Sequence, residues 1–303
     1  MLAPHRTAQP GPPLTPGATA PAVEVAALTK RYATGVLGND GITLSVAQGA
    51  TLGLLGRNGA GKTTLVRQIT GELEPTSGNV RVMGIDVVSA HTVARALMGV
   101  VPQEAQPYDH LHPREHLAFF ARMRGLSRAE ASRRADELID LLGLGPHARK
   151  IVRELSGGLK RKLLVGNALV GDPPVLVLDE PTTGLDPHAR REVWALLRSL
   201  RGRGRTLLIT THYMEEAEEL CDEVALISAG RLRVQGTVEA LRARCRNRFK
   251  ATYGDGNGRH ALFGQTSDDL LADLARRGIE EFSLAKTSLE DVYMELTDEA
   301  LEA

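Results

Sequence analysis

Cysteine is almost missing from this chain of 303 residues: Cys221 and Cys245 are the only two. Two thiols over that length do not build the disulfide framework of a secreted protein, so a reducing cytosol is the expected setting. Net charge is missing too. Lys plus Arg and Asp plus Glu each total 37, which leaves no global basic field for a nucleic-acid backbone, and no nucleic-acid partner is expected. Long apolar runs are also lacking. Stretches such as Val175–Leu178 and Thr206–Thr211 fall far short of the ~20 residues that a helix needs to cross a bilayer, so any membrane partner is expected to be a separate chain. The opening MLAPHRTAQPGPPLTPGATAPA has no apolar stretch of the kind a secretory signal requires. Its Pro, Gly and Ala content is that of a disordered tail, assigned to residues 1–22.

What is present describes an ordinary globular protein. Apolar residues make up 42% and charged residues 24%, and the length suits one large or two modest domains. From Ala22 to about Gln103 the pattern is strand-rich, with VEVAALTKRY, GITLSVAQGATLGLLG and NVRVMGIDVV bounded by turn residues, and one helix from Lys62 to Thr70. Between about Pro107 and Gly171, apolar residues recur at three- and four-residue spacing in HLAFFARMRG and RAEASRRADELIDLLGL, the mark of a helical insertion. Strand–loop–helix alternation resumes at Pro173 in VLVLDE, TLLITTH and EVALISAG, as expected for a mostly parallel sheet flanked by helices. The core domain is therefore placed at 23–245, with its sheet split around an insertion at about 107–171. Residues 246–303, containing FKATYG, SDDLLADLARRG and SLEDVYMEL, form a small accessory subdomain. No internal repeat is visible, so the motifs occur in one copy.

GRNGAGKT, Gly56 to Thr63, fits the G-x-x-x-x-G-K-[ST] phosphate loop and stands between a predicted strand, ATLGLLG, and a predicted helix. Gly56, Gly59 and Gly61 let backbone N–H groups curl around a polyphosphate at the positive end of that helix. Asn58 and Thr64 are counted with the same nucleotide contacts. Lys62 suits the β- and γ-phosphates of ATP, and Thr63 suits Mg²⁺. VLVLDEP, Val175 to Pro181, is a buried-strand pattern that ends in two acids. Beside the loop, Asp179 can reach the metal directly or through water, and Glu180 can polarise an attacking water. Alone, an apolar strand followed by two acids is as often structural, and its neighbours decide the matter. LSGG, Leu155 to Gly158, precedes the helical run LKRKLLVGNALV. Alone it reads as a plain N-cap, yet a hydroxyl, free amides and a helix start also make an anion site.

In this order, the motifs resemble those of ABC ATPases over about Val23 to Ala240. The resemblance implies an α/β fold, a P-loop NTPase core with a split, mostly parallel sheet, a helical insertion subdomain and a small C-terminal α+β extension. It implies that Ser156, Gly157 and Gly158 bind the γ-phosphate of ATP held by a second copy of the chain, hence a homodimer. Tyr32 resembles the aromatic residue that stacks on adenine, and Gln103, in VVPQE, the glutamine that meets Mg²⁺ and water and faces the membrane subunit. Asp186, in TGLDP, resembles the aspartate that crosses the dimer interface, and His212, in TTHYMEEA, the histidine that contacts the γ-phosphate. Catalysis is thus expected on Glu180, His212 and Gln103, and metal binding on Thr63, Gln103 and Asp179.

One position departs from the family pattern: Leu159 stands where glutamine most often follows LSGG. Together with GLKRKL, THYMEEAEELCD and SLEDVYMEL, it resembles exporters of the daunorubicin-resistance type. That implies an ATPase peripheral to the cytoplasmic face of the cell membrane, energising a separate transmembrane permease for drugs, lipids or polysaccharide. The alternative is a soluble ABC ATPase acting on ribosomes or DNA. Those usually carry two cassettes or a long coiled-coil insertion, and this chain has neither. A different P-loop enzyme would lack LSGG and the late histidine, and retention of Glu180 and His212 argues against a degenerate, regulatory ATPase.

Overall fold

In the computed structural model, which describes residues 20–255 and 258–298, ordered packing starts one residue earlier than the tail boundary at 22 allows. Ala22 is fully buried. Its N–H donates to the Val46 carbonyl at 2.8 Å, and its own carbonyl accepts the Met83 N–H at 2.8 Å. The tail boundary is corrected accordingly, since an apolar side chain with both backbone groups paired belongs to the sheet beside it. Residues 1–19 of the expected tail lie outside the described residues.

Strands β1 (Val23–Arg31), β2 (Leu37–Val46), β4 (Ser77–Val82) and β5 (Ile85–Asp86) pair antiparallel in the order β2-β1-β4-β5. The second sheet holds β3 (Thr51–Leu55), β6 (Met98–Val101), β7 (Val175–Asp179), β8 (Thr206–Thr211), β9 (Glu223–Ser228) and β10 (Arg231–Thr237). Its order is β10-β9-β3-β8-β7-β6, parallel throughout except where β10 meets β9. This is the mostly parallel sheet that the strand–helix alternation called for. Every residue of β3, β7 and β8 is buried, because both faces of the sheet are covered and its central strands can be continuously apolar. The N-terminal strands separate into a sheet of their own, a partition that strand patterning does not disclose, since it says which residues alternate and not which strands pair.

The helices divide between the faces. On one side, α1 (Lys62–Ile69) and α2 (His91–Ala96) lie between the sheets, and Val25, Leu44, Leu54, Leu65, Val80 and Leu208 share one core. On the other, α3 (Pro113–Met123), α4 (Arg128–Leu141), α5 (Gly157–Leu169) and α6 (Pro187–Arg201) bury Leu117, Leu138, Leu163 and Leu197 against Leu178 and Ile209. The first three of these helices occupy the stretch read as a helical insertion. Next come α7 (Met214–Leu220) and α8 (Val238–Arg242). A third, antiparallel sheet follows, β11 (Phe249–Asp255), β12 (Gly258–Gly264) and β13 (Phe282–Lys286), in the order β12-β11-β13, with α9 (Ser267–Arg276) and α10 (Leu289–Asp298). The carboxyl ends of β3, β6, β7 and β8 converge on one edge of the parallel sheet, the edge where open α/β sheets bind ligands.

Inside the helical layer, His116 of α3 is fully buried, and the Asn167 amide nitrogen donates to its Nε2 at 2.8 Å. Burial pushes the imidazole down from its ordinary 6.5 to about 4. The unfolded chain therefore takes up a proton near pH 6.5 that the folded chain refuses until about pH 4. Unfolding free energy, followed by urea titration, is expected to be highest above that window and to fall as pH drops through it. A His116→Gln variant should show a flatter pH profile.

Candidate active site

The five buried residues of β3 deliver the chain into the loop at 56–61, and α1 starts at Lys62. Gly61 sits at φ 107°, and a Cβ there would stand 2.6 Å from the Gly38 carbonyl oxygen and 2.9 Å from Asn39 Nδ2. No other residue fits both the backbone angle and the space. Asn39, fully buried, donates from that same amide nitrogen to the Gly61 carbonyl at 3.1 Å. No side chain caps α1 and no acid lies in its first turn, so neither a cap nor a first-turn carboxylate occupies the positive end of the helix. Asn58, Gly59, Gly61, Lys62, Thr63 and Thr64 line a cleft of about 340 Å³, joined by Tyr32, Gln103 and Glu180. Gly56 lies behind it, against the Ile227 carbonyl.

Lys62 is only 4% exposed. Its Nζ donates to the carbonyls of Gly56 at 2.7 Å and Arg57 at 3.2 Å, and lies 3.8 Å from Glu180 Oε1. Burial lowers the amine below its ordinary value, while the negative charges of Glu180 and then Asp179 oppose that shift. A buried cation held by carbonyl dipoles and a carboxylate is a ready partner for a stronger anion.

The two acids after Leu178 face different ways. Thr210, at the end of β8, orients both: it accepts the Glu180 N–H on its carbonyl at 3.1 Å and on its hydroxyl at 2.9 Å, and the hydroxyl donates to Asp179 Oδ1. Burial raises the Asp179 carboxyl above its ordinary value; the Thr210 bond lowers it and the neighbouring Glu180 charge adds to the rise. Glu180 adopts φ 47°, a conformation rare outside glycine. That turn sends its carboxylate across the cleft, where Oε2 accepts from Thr183 Oγ1 at 3.0 Å and Gln103 Nε2 at 3.3 Å. His212 Nδ1 lies 3.3 Å from the same oxygen without hydrogen-bond geometry, and this buried nitrogen has no hydrogen-bond partner. Residues just past β6, β7 and β8 thus meet on one carboxylate. At the mouth of the cleft, the Tyr32 hydroxyl and Thr64 Oγ1 are 3.1 Å apart, and a Cβ on Gly38 would meet the Tyr32 ring at 2.8 Å.

Gly56, Asp179 and His212 stand beside residues that line this cleft without lining it themselves, whereas Ser156, Gly157, Gly158 and Asp186 lie at the starts of α5 and α6 and do not line it. Ser156 caps α5, its hydroxyl accepting the Leu159 N–H at 3.4 Å. Gly157 is exposed, whereas Gly158 is buried where α5 and α6 approach, and a Cβ on it would stand 2.8 Å from the Ala189 Cβ. Leu159, the departure from the family pattern, packs partly buried on the helical core. Asp186 caps α6, accepting the N–H groups of His188 and Ala189 at 2.9 Å each, and those bonds, Ala189 first, hold its carboxyl below the usual range.

Sequence reasoning gave no role to Thr210, Thr183 and Asn39, although Thr183 opens TGLDP and Thr210 opens TTHYMEEA. It also missed Glu216, 1% exposed, which accepts from Thr182 Oγ1 at 2.7 Å and Trp194 Nε1 at 2.9 Å and so ties the turn after Glu180 to α6 and α7. The one available signal was the paired threonines ending TLLITT beside the two acids.

A family model described as ABC transporter matches residues 39–183. The daunorubicin resistance ATP-binding protein DrrA3 of Streptomyces coeruleorubidus is 46% identical over 204 residues, covering 67% of this chain and 65% of that protein. The chain thus spans just under two thirds of that relative's length. Nod factor export ATP-binding protein I of Ralstonia nicotianae is 45% identical over 236 residues, 77% of this chain and 71% of that protein. Among solved structures, cbiO1 from Clostridium perfringens, described as part of the ABC transporter complex cbiONQ, superposes with a TM-score of 0.69 at 29% identity, over 74% of this chain and 91% of that one.

Thr210→Val keeps the shape of the side chain but leaves Asp179 without its hydroxyl donor and removes one of the two acceptors of the Glu180 N–H. Loss of a buried partner of this kind costs about 1–3 kcal/mol. The variant is expected to unfold at correspondingly lower urea concentration, as read by far-UV circular dichroism.

Proposed function

We propose that this chain, which belongs to the ABC transporter ATP-binding family, binds ATP with Mg²⁺ in the cleft above β3 and hydrolyses it to drive a separate membrane permease. The observation that carries this reading is the convergence of Lys62, Gln103 and His212 on the Glu180 carboxylate beside an uncapped helix start. Lys62 and the first amides of α1 take the phosphates. Tyr32, at the mouth, offers its ring to the base. Thr63, Gln103 and Asp179 would hold Mg²⁺: a hydroxyl, an amide oxygen and a carboxylate form the all-oxygen set that a hard cation prefers. The ion supplies charge neutralisation across the phosphates. Glu180 takes the proton of the attacking water, and His212 brings its unpartnered nitrogen to the same end of the cleft.

The site is half of what the reaction needs. Ser156 and Gly157 begin α5 at an exposed end away from their own cleft, which supports a two-fold pair in which each copy lends its α5 start to the nucleotide of the other. Asp186, the exposed cap of α6, belongs to the same face. No helix among the described residues is long and apolar enough to cross a membrane. The relatives' names, daunorubicin resistance and Nod factor export, support an exporter of drugs, lipids or polysaccharide, with this chain held at the cytoplasmic face through its permease.

Glu180→Gln keeps volume and much of the hydrogen bonding but is a far weaker proton acceptor. Loss of a general base typically costs about 10²–10⁴ in rate, so ATP should still bind, hydrolysis should nearly stop, and an ATP-bound dimer should accumulate on size-exclusion chromatography. Asp179→Asn should instead weaken nucleotide affinity and give less dimer. Near-wild-type turnover by Glu180→Gln would place the base elsewhere.

The shared site has its own test. Mixing a Lys62→Ala chain with a Ser156→Arg chain leaves one intact site in each mixed pair and should restore some hydrolysis that neither chain shows alone. Two folded partners that recover nothing in a co-purified heterodimer would count against composite sites.

A further inference from the structure

The C-terminal extension reaches the phosphate loop through a single helix. Leu289, Val292 and Tyr293 of α10 are buried with Leu55, the last residue of β3, and with Leu226 and Leu241. The start of α10 is pinned from three directions. Ser288 and Asp291 form a reciprocal cap, with the Ser288 N–H donating to Asp291 at 2.8 Å and the Asp291 N–H to Ser288 at 3.3 Å. Lys250 of β11 donates to Asp291 at 2.6 Å, and the Leu289 N–H donates to Glu218 of α7 at 2.9 Å. From this fixed base, Tyr293, 5% exposed, places its hydroxyl where it accepts the Arg57 N–H at 3.3 Å.

That N–H belongs to the peptide unit joining Gly56 to Arg57, and the carbonyl of the same unit accepts Lys62 Nζ at 2.7 Å. In a trans peptide the two groups point in opposite directions. One rigid plane is therefore gripped on both edges, by the loop's own lysine on one side and by the C-terminal helix on the other. We propose that Tyr293 is a positioning residue for the phosphate loop, through which α10 holds the Gly56–Arg57 peptide in the orientation that admits a polyphosphate. The inference rests on the nucleotide reading above. When Lys62 turns to an anion, the Gly56 carbonyl gives up that partner, and the Tyr293 contact keeps the plane from rotating its oxygen towards the phosphates. A loop held in its binding shape loses less freedom on binding, which appears as affinity.

Tyr293→Phe keeps the ring in the apolar core and deletes the hydroxyl; Tyr293→Ala removes both. In the full chain, a net hydrogen bond of ordinary strength corresponds to about a threefold to tenfold change. Tyr293→Phe is expected to bind a fluorescent ATP analogue with Mg²⁺ that much more weakly, and to raise KM for ATP while kcat stays within about twofold, as for an interaction made equally in the ground and transition states. Without nucleotide, the amides of the 51–61 peptide should exchange with deuterium faster than in wild type, and Tyr293→Ala in place of Tyr293→Phe should extend the effect and lower the melting temperature as well. A merely structural tyrosine would lower the melting temperature and leave analogue affinity and loop exchange unchanged, and that result overturns the inference alone. A wild-type chain that fails to bind the analogue overturns the nucleotide reading and this inference with it.

Discussion

A lysine ammonium buried against the end of a parallel sheet is the constraint on which the rest of the site depends. An isolated charge is expensive to remove from water, so Lys62 needs compensation from every side. Two carbonyls of its own loop supply part of it, and the negative charges of Glu180 and then Asp179 add to it. Glu180 is itself buried and must be satisfied in turn, by Thr183 and Gln103. These groups come from the ends of different strands, and only the order β3-β8-β7-β6 sets those ends side by side. The strand order and the charge balance are one arrangement, and changing either would leave a buried ion without partners.

The start of α5 and the start of α6 follow a different logic. Ser156 and Asp186 each cap a helix by accepting backbone N–H groups, work that any globular protein asks of such residues. Their place sets them apart, since α5 begins with exposed Gly157 while the next glycine is consumed in contact with Ala189. The two glycines of one short motif therefore do different jobs. Gly158 lets α5 lie close on α6, and that contact fixes the direction in which Ser156 and Gly157 face.

The accessory sheet would be a bystander if it joined the core only through its own strands. Instead α10 shares a core with the last residue of β3, the residue from which the phosphate loop departs. Glu218 belongs to α7, the helix after His212, and it meets both the α10 start and Arg242 of α8. Two sides of the cleft thus rest on elements that also hold the C-terminal extension.

The loop proposed to hold phosphate was legible in the sequence because its groups are neighbours along the chain. Gly59, Gly61, Lys62 and Thr63 lie within five consecutive positions, and a tight loop before a helix puts them in one place whatever surrounds it. The parallel strands β7 and β8 were legible for a related reason: strands buried on both faces carry apolar runs, as in VLVL of β7 and LLI of β8. Thr210, Glu216 and Tyr293 were not legible. Each acts on a residue 30 or more positions away, across a strand pair, a helix packing or a shared core. Spacing along the chain carries no record of those pairings. By itself the sequence determined which residues are proposed to bind and cleave a nucleoside triphosphate, through local backbone and side-chain chemistry. Only the tertiary structure decided which of them share a cleft, that Ser156 stands apart from Lys62, and that a tyrosine near the far end of the chain closes on the loop, because burial and strand order are properties of the packed chain as a whole.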